Sequence, residues 1–322
     1  MDRPTPTPER AFHAGEQALQ ARVGVRERMA EVGNIVMRDH MPDQHRSFFA
    51  QLPFIVVGSV DADGQPWASV LAAPPGFVAS PDDQTLTVQA LPLAADPLHA
   101  NLRPGALIGL LGIEPHTRRR NRMNGVVSEL NDQRFAVQVQ QSFGNCPKYI
   151  QARKPVYLAP DANTPLVVHR TSGLDAAARQ MLAQTDTFFI ATAYTGTDFE
   201  QRGPAHGVDV SHRGGKPGFV RVEGNALTVP DFIGNFFFNT LGNLAVNPRA
   251  GLLVVDYATG DLLYLAADAE IIWDGALLDS FVGAQRLLRL EVRSVVRIDA
   301  ALPLRWGAAQ LSPVLEATGS WD

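Results

Sequence analysis

The order of apolar and polar positions divides this chain into a short helical lead and two long stretches that read as strands. From Phe12 to about Asn34, the residues Ala18, Leu19, Val23, Val25 and Met29 recur among charged neighbours at helical spacing, with Gly15 and Gly24 as weak points. In MPDQHRSFFAQLPF, Asp43 suits the N-cap of a short helix that must end before Pro53. Beyond it, FIVVGSVDADGQPWASVLA predicts a hairpin turning at Asp63 and Gly64, and TLTVQA a strand after the SPDDQ turn. DPLHANL predicts a short helix, and GALIGLLGIE, TRRRNRMNGVVSEL and RFAVQVQQSF predict three more strands. A linker near Pro155 to Pro165 precedes SGLDAAARQMLAQTD, a helix that Ser172 can cap. TFFIATA, GVDVSHRGG, GFVRVEG, ALTVPDF, a helix from about Asn235 to Ala245, GLLVVDY, DLLYLAADAEIIW and RLEVRSVVRI then run through the first order again.

The letters repeat along with the pattern. PGFV at Pro75 to Val78 returns at Pro217 to Val220, and GLL at Gly109 to Leu111 returns at Gly251 to Leu253, both at an offset of 142 residues. LTV at Leu86 to Val88 returns at Leu227 to Val229, offset 141. Three matches in order predict an internal duplication, and a duplicated unit places its pockets between the halves. The expected fold is mainly β: two antiparallel barrels of six strands each, with flanking helices. The divisions follow as 1–52 for an N-terminal helical extension, 53–165 and 166–300 for the two barrel repeats, and 301–322 for a C-terminal tail.

Composition narrows the function classes. At 322 residues and 45% hydrophobic the chain can bury two cores of ordinary size. A net charge of -5 argues against nucleic acid and anionic membranes as partners. The single cysteine, Cys146, excludes a disulfide framework, and it reads as a structural thiol rather than a nucleophile. MDRPTPTPER shows neither a secretory signal nor an anchor, so a cytoplasmic location is expected. No GxGxxG follows a strand, and no Walker A, HExxH or GxSxG is present, so a bound cofactor would have to bring the chemistry.

Three segments carry candidate chemistry. Ser211-His212-Arg213-Gly214-Gly215-Lys216 joins a hydroxyl, cations and paired glycines at a strand end, which suits a phosphate or polyanion. Its counterpart, Ser69 to Pro74, keeps only the serine; the competing reading is a Gly-Gly turn with solvated charges. Asn235, Asn239 and Asn243 form an amide stripe on a short helix whose start, with Thr240, offers donors to an anion; the alternative is a capped helix with a wet polar face. In TRRRNR, a strand over Thr117 to Arg122 would project Arg118, Arg120 and Arg122 from one face, either toward an anion or as a charged sheet edge. Together these predict one composite site, with a phosphate cradle from the second copy and arginines from the first.

The ordered motifs TFFIATA, GVDVSHRGGKPGFV, LTVPDFIGN and TLGNLAVNPRAGLLVVDYATGDLL resemble the core of the pyridoxamine 5'-phosphate oxidase-like, flavin-binding split-barrel proteins. GSVDADGQPWASVLA, IGLLGIEPHTRRRNR and QSFGNCPKYI extend the likeness to a duplicated-barrel subgroup, over nearly all of Pro53 to Ile298. The resemblance implies two tandem split barrels forming a pseudo-dimer, with FMN, or FAD as the alternative, between them. It puts the flavin cradle on Ser211 to Lys216, with His212 and Arg213 inside it, the next strand end on Pro230 and Asp231, and a family phosphate-binding lysine on Lys216. The family's basic pair falls near Asn239 and Thr240, which are neutral here, so Arg118, Arg120 or Arg122 would have to supply the charge. Residues that grip pyridoxal phosphate have no match, and vitamin B6 oxidation is not carried over. The implied activity is an FMN-dependent oxidoreductase acting on a small molecule or a reduced nicotinamide, with a redox partner protein and a homodimer as further expectations. The alternatives are a non-catalytic flavin or heme binder, for which His206 or His212 would be the axial ligand, and a ligand-free scaffold for an acidic partner.

Overall fold

The computed structural model describes residues 11–158, 165–195 and 205–321. The segment MDRPTPTPER and the middle of the predicted linker lie outside the described residues. The helical lead is two helices, α1 (Ala14–Arg22) and α2 (Arg26–Val36), because Gly24 turns the chain at a φ of +73°. A short α3 (Asp43–Ala50) follows, with Asp43 in its first turn and Pro42 at the cap position.

The first unit contains β1 (Phe54–Val60), β2 (Pro66–Ala72), β3 (Val78–Ala79), β4 (Thr85–Val88), α4 (Pro97–Asn101), β5 (Leu107–Glu114), β6 (Arg119–Leu130) and β7 (Phe135–Gly144). They form one antiparallel sheet in the order β2-β1-β5-β6-β7-β4-β3. After β8 (Pro155–Tyr157), β9 (Val168–Thr171) and α5 (Ala176–Gln184) come β10 (Thr187–Tyr194), β11 (Gly207–Gly214), β12 (Arg221–Glu223), β13 (Ala226–Phe232), α6 (Asn239–Val246), β14 (Arg249–Val255), β15 (Leu262–Ile272), α7 (Ala276–Asp279) and β16 (Ala284–Ile298). The second sheet runs β11-β10-β14-β15-β16-β13-β12, the same order strand for strand, with β9 added against β16. Each unit therefore has its six expected strands plus the short β3 or β12. Helix α5 is capped by Asp175, whose Oδ1 accepts from Ala178 N at 2.7 Å, and not by Ser172. The tail contributes β17 (Leu304–Trp306), which pairs with β8 and ties the linker to the C-terminus.

The near-continuous apolar runs follow from burial on both faces. In β1, Ile55 and Val57 enter the core of the first unit, while Phe54 and Val56 face a core shared with Phe189, Leu253 and Tyr264 of the second. In β10, Phe188 and Ile190 point into their own unit and Phe189 and Ala191 into the shared core. The GLL repeat has the same logic: Leu110 and Leu252 fill the separate cores, and Leu111 and Leu253 the shared one. Its glycines mark the closest approach of the sheets. A Cβ on Gly109 would lie 2.2 Å from the Val208 carbonyl oxygen of the other unit, and one on Gly251 would lie 2.1 Å from that of Pro66. We expect Gly251→Ala to destabilise the chain by about 1–3 kcal/mol through overpacking, read as a lower urea midpoint. A midpoint equal to the parent's would refute this close contact.

Candidate functional site

A cavity opens where the shared core ends, between β6 of the first unit and β11, β13 and α6 of the second. Strand β11 lends Ser211, His212, Arg213 and Gly214 to its wall, the end of β13 lends Pro230 and Asp231, and the loop into α6 lends Asn235, Asn239 and Thr240. From the first unit come Arg120 and Arg122, which alternate onto one face of β6. Ten of the twelve residues singled out in the sequence thus meet here.

Arg118 and Lys216 do not. Arg118 precedes the strand and closes a 3-10 turn at φ 58°; its Nε donates to the Ile150 carbonyl at 3.0 Å and its Nη2 reaches those of Gln310 and Leu311 at 3.4 Å. It therefore fastens the C-terminal segment instead of joining a three-arginine face. Lys216 Nζ donates to the Thr318 carbonyl at 2.5 Å, so the predicted cradle lysine is turned toward the tail. The helix start also differs, because Phe236 and Phe238 both take left-handed conformations and α6 begins at Asn239. Asn235 is then a loop residue whose Oδ1 accepts from Phe237 N at 3.2 Å. Asn243 lies on no wet face: it is fully buried, donating to Thr192 Oγ1 at 3.0 Å and Asp209 Oδ2 at 2.8 Å.

Asp209 and Arg122 anchor the buried end. Arg122 Nη1 lies 2.9 Å from Asp209 Oδ1, Arg122 Nη2 donates to Ser211 Oγ, and Thr240 Oγ1 donates to the same Ser211 oxygen at 3.0 Å. Asn124 Nδ2 donates to Asp209 Oδ1 at 2.8 Å, and His13 of the N-terminal extension lies 2.8 Å from Asn243 Oδ1. Glu16, on α1, accepts from Asn239; burial, reinforced by the charge of Asp209, holds its pKa well above the usual carboxylate range. The N-terminal helix is thus part of the site's support. Arg120 donates only to carbonyls among the described residues, those of Cys146 at 2.7 Å and His212 at 3.4 Å. Burial and then the neighbouring Arg122 push its pKa down to about 10, which leaves it a cation at neutral pH. The His212 ring lies edge-on to Phe189, and burial followed by the arginines around it holds it neutral. His206 is elsewhere, edge-on to Tyr194.

The charge balance defines what the cavity accepts. Arg120, Arg122, Lys148, Arg213 and Arg286 line it, against Asp231 as the lining carboxylate and Asp209 behind Arg122. Asp231 holds both Arg213, at 2.6 Å, and Arg286, at 3.0 Å. Among the described residues, Arg122 Nε, Asn145 Nδ2, Arg286 Nε and Arg286 Nη1 are buried without a hydrogen-bond partner, and all four are donors. The first turn of α6 has no side-chain cap either. An anionic, acceptor-rich ligand fits this surplus of donors. No local signal marks Arg286, whose place in an alternating strand reads as solvent-facing; Asp209, a carboxylate between Val208 and Val210 in an apolar strand, was the signal available.

The first unit closes its equivalent position. Ser69 pairs with Val57 and through it Leu110, as Ser211 pairs with Ile190 and Leu252; Tyr264 pairs with Leu253 as Arg122 pairs with Leu111. Between Ser69 and Tyr264 sits the Asp96 carboxylate, accepting from Ser69 Oγ at 2.5 Å, Leu98 N at 2.8 Å and the Tyr264 hydroxyl at 2.8 Å. The chain's own anion fills there what the second unit leaves open.

Comparison with known proteins places this geometry in context. Residues 41–161 match the family model for pyridoxamine 5'-phosphate oxidase. Among solved structures, HupZ from Group A Streptococcus is 15% identical, covering 32% of this chain and 94% of its own, with a TM-score of 0.27. An FAD-binding protein from Mesorhizobium loti is 12% identical, covering 41% of this chain and 98% of its own, at a TM-score of 0.27. No curated protein matches the chain. No described helix is long and apolar enough to cross a membrane.

Proposed function

We propose that this chain, whose residues 41–161 match the pyridoxamine 5'-phosphate oxidase family model, binds FMN in its cavity and is an FMN-dependent oxidoreductase. The observation that carries this reading is the meeting of Arg120 and Arg122 with Ser211 and Thr240 in one cavity, where Arg122 Nε and Asn145 Nδ2 are buried donors without a hydrogen-bond partner among the described residues. Bound flavin would supply the chemistry, taking a hydride from a reduced nicotinamide or an organic substrate and passing electrons to oxygen or a partner protein.

The protein's part is binding, orientation and electrostatics. Arg120 and Arg122, with Ser211, Thr240 and the uncapped first turn of α6, hold the phosphate where the family uses a basic pair at Asn239 and Thr240. Tyr149, Phe232, Phe236 and Phe238 form an aromatic wall that excludes water and offers ring faces for stacking. The fixed positive charges stabilise negative charge that develops inside the cavity. Glu16, whose pKa burial raises, accepts from the Asn239 amide and keeps it in place.

An anaerobic absorption titration with FMN, followed by NADPH, tests the reading. The expected result is a bound-flavin spectrum that bleaches on addition of NADPH, and a loss of FMN affinity of about tenfold or more in Arg120→Gln, which removes a charge-assisted donor. Absence of FMN uptake would refute the cofactor, whereas uptake without bleaching would favour a non-catalytic flavin binder.

A further inference from the structure

We propose that Arg286 and the ring of Phe238 form a second subsite in the cavity, which takes the carboxylate of a small planar acid as the reactant. Arg286 stands opposite Asp231 across the β13–β16 ladder, beside the irregularity at Asp231 and Phe232. Its side chain is 5% exposed, and its guanidinium carbon lies 5.0 Å from the Phe238 ring centroid and 5.2 Å from that of Trp273. Nε lies 3.0 Å from Asp231 Oδ2 as an ion pair, and among the described residues neither Nε nor Nη1 has a hydrogen-bond partner. Asp231 is shared with Arg213, so the group of two guanidiniums and one carboxylate keeps a net positive charge.

Two features assign this corner to a ligand. A buried N–H without an acceptor costs free energy that a carboxylate in the cavity would recover, and a planar guanidinium between ring faces presents its free edge in one plane. The covering loop is strained as well: Phe236 and Phe238 have φ of 62° and 63°, values that bulky side chains seldom adopt and that cluster at ligand clamps. A planar conjugated acid meets both demands, with its carboxylate at the guanidinium edge and its ring against Phe238. The assignment to reactant instead of cofactor rests on the flavin reading, which gives the phosphate to Arg120 and Arg122.

The test is calorimetric titration of benzoate into the full-length protein, alone and with FMN, in the parent chain and in Arg286→Gln, Arg286→Lys and Arg120→Gln. Arg286→Lys keeps a cation against Asp231 and so protects the fold, but it removes the fork. We expect benzoate to bind the parent chain, to weaken by about tenfold or more in both Arg286 variants, and to bind Arg120→Gln as in the parent. FMN affinity should remain unchanged in Arg286→Lys. Equal benzoate affinity in Arg286→Lys and the parent, or no binding to the parent, would overturn the subsite. A parallel loss of FMN in Arg286→Lys would assign Arg286 to the cofactor and overturn it too. Benzoate binding that depends on Arg286 in a chain that takes up no FMN would leave the carboxylate subsite standing and refute the flavin reading alone.

Discussion

Replacing Arg122 with alanine should lower the stability of the chain by roughly 3–5 kcal/mol, the usual cost of stranding one member of a buried ion pair. Asp209 is the member left behind. It is 8% exposed, and without Arg122 it keeps only the Asn124 and Asn243 amides as donors at this end, with Glu16 close by. Arg122 also loses its hold on Ser211 and its place over the Phe143 ring, at 5.3 Å, so packing is lost along with charge. The comparison that isolates the charge is Arg122→Ala with Asp209→Asn in one chain. Removing the uncompensated carboxylate should restore a large share of the loss, because the penalty lies in the orphaned charge more than in the missing pair. Urea unfolding of the two single variants and the double variant measures this. A loss below about 1 kcal/mol in Arg122→Ala would show that Asp209 is well solvated and that the pair does not anchor the buried end of the cavity.

This dependence explains which parts of the molecule were legible in its sequence. The barrels were, because the short apolar runs FIVVGSV and TFFIATA bounded by turn residues and the offset of the GLL and PGFV repeats are local signals repeated along the chain. The reason for the GLL glycines was not, since the carbonyls that exclude a Cβ belong to the other unit. The composite character of the cavity was also readable, because the arginines of TRRRNR and the Ser211 to Lys216 segment fall in different units. Its details failed wherever a distant contact decided them. Lys216 is taken by a carbonyl 102 residues away, and Arg118 by the segment that follows β17. The asparagine stripe was misplaced because two phenylalanines adopt left-handed backbone, which residue type argues against. Arg286 was invisible because an arginine in an alternating strand normally faces water, whereas here the aromatic loop before α6 and the Trp273 ring cover it.

Asp96 supplies the other large effect, with a sign that can be worked out. Burial pushes its pKa up to about 6, outweighing the three hydrogen bonds it accepts from Ser69, Leu98 and Tyr264. In the unfolded chain an aspartate ionises near about 3.9, so the native state binds this proton more tightly. The stabilising contribution is therefore complete below the unfolded value and lost as pH rises through the folded one. The full span of two units corresponds to about 3 kcal/mol, of which roughly 1 kcal/mol falls between pH 7 and pH 5. Glu16 is shifted in the same direction, so the slope of the parent chain alone does not identify its source. Asp96→Asn does: the amide keeps an acceptor for Ser69 and Leu98 and has no proton to exchange. Urea unfolding at both pH values should show the parent gaining stability on acidification, and the variant gaining less by roughly 1 kcal/mol. Identical gains would mean that Asp96 titrates as it does in water, and that the first unit's anion position is not sealed by its own carboxylate.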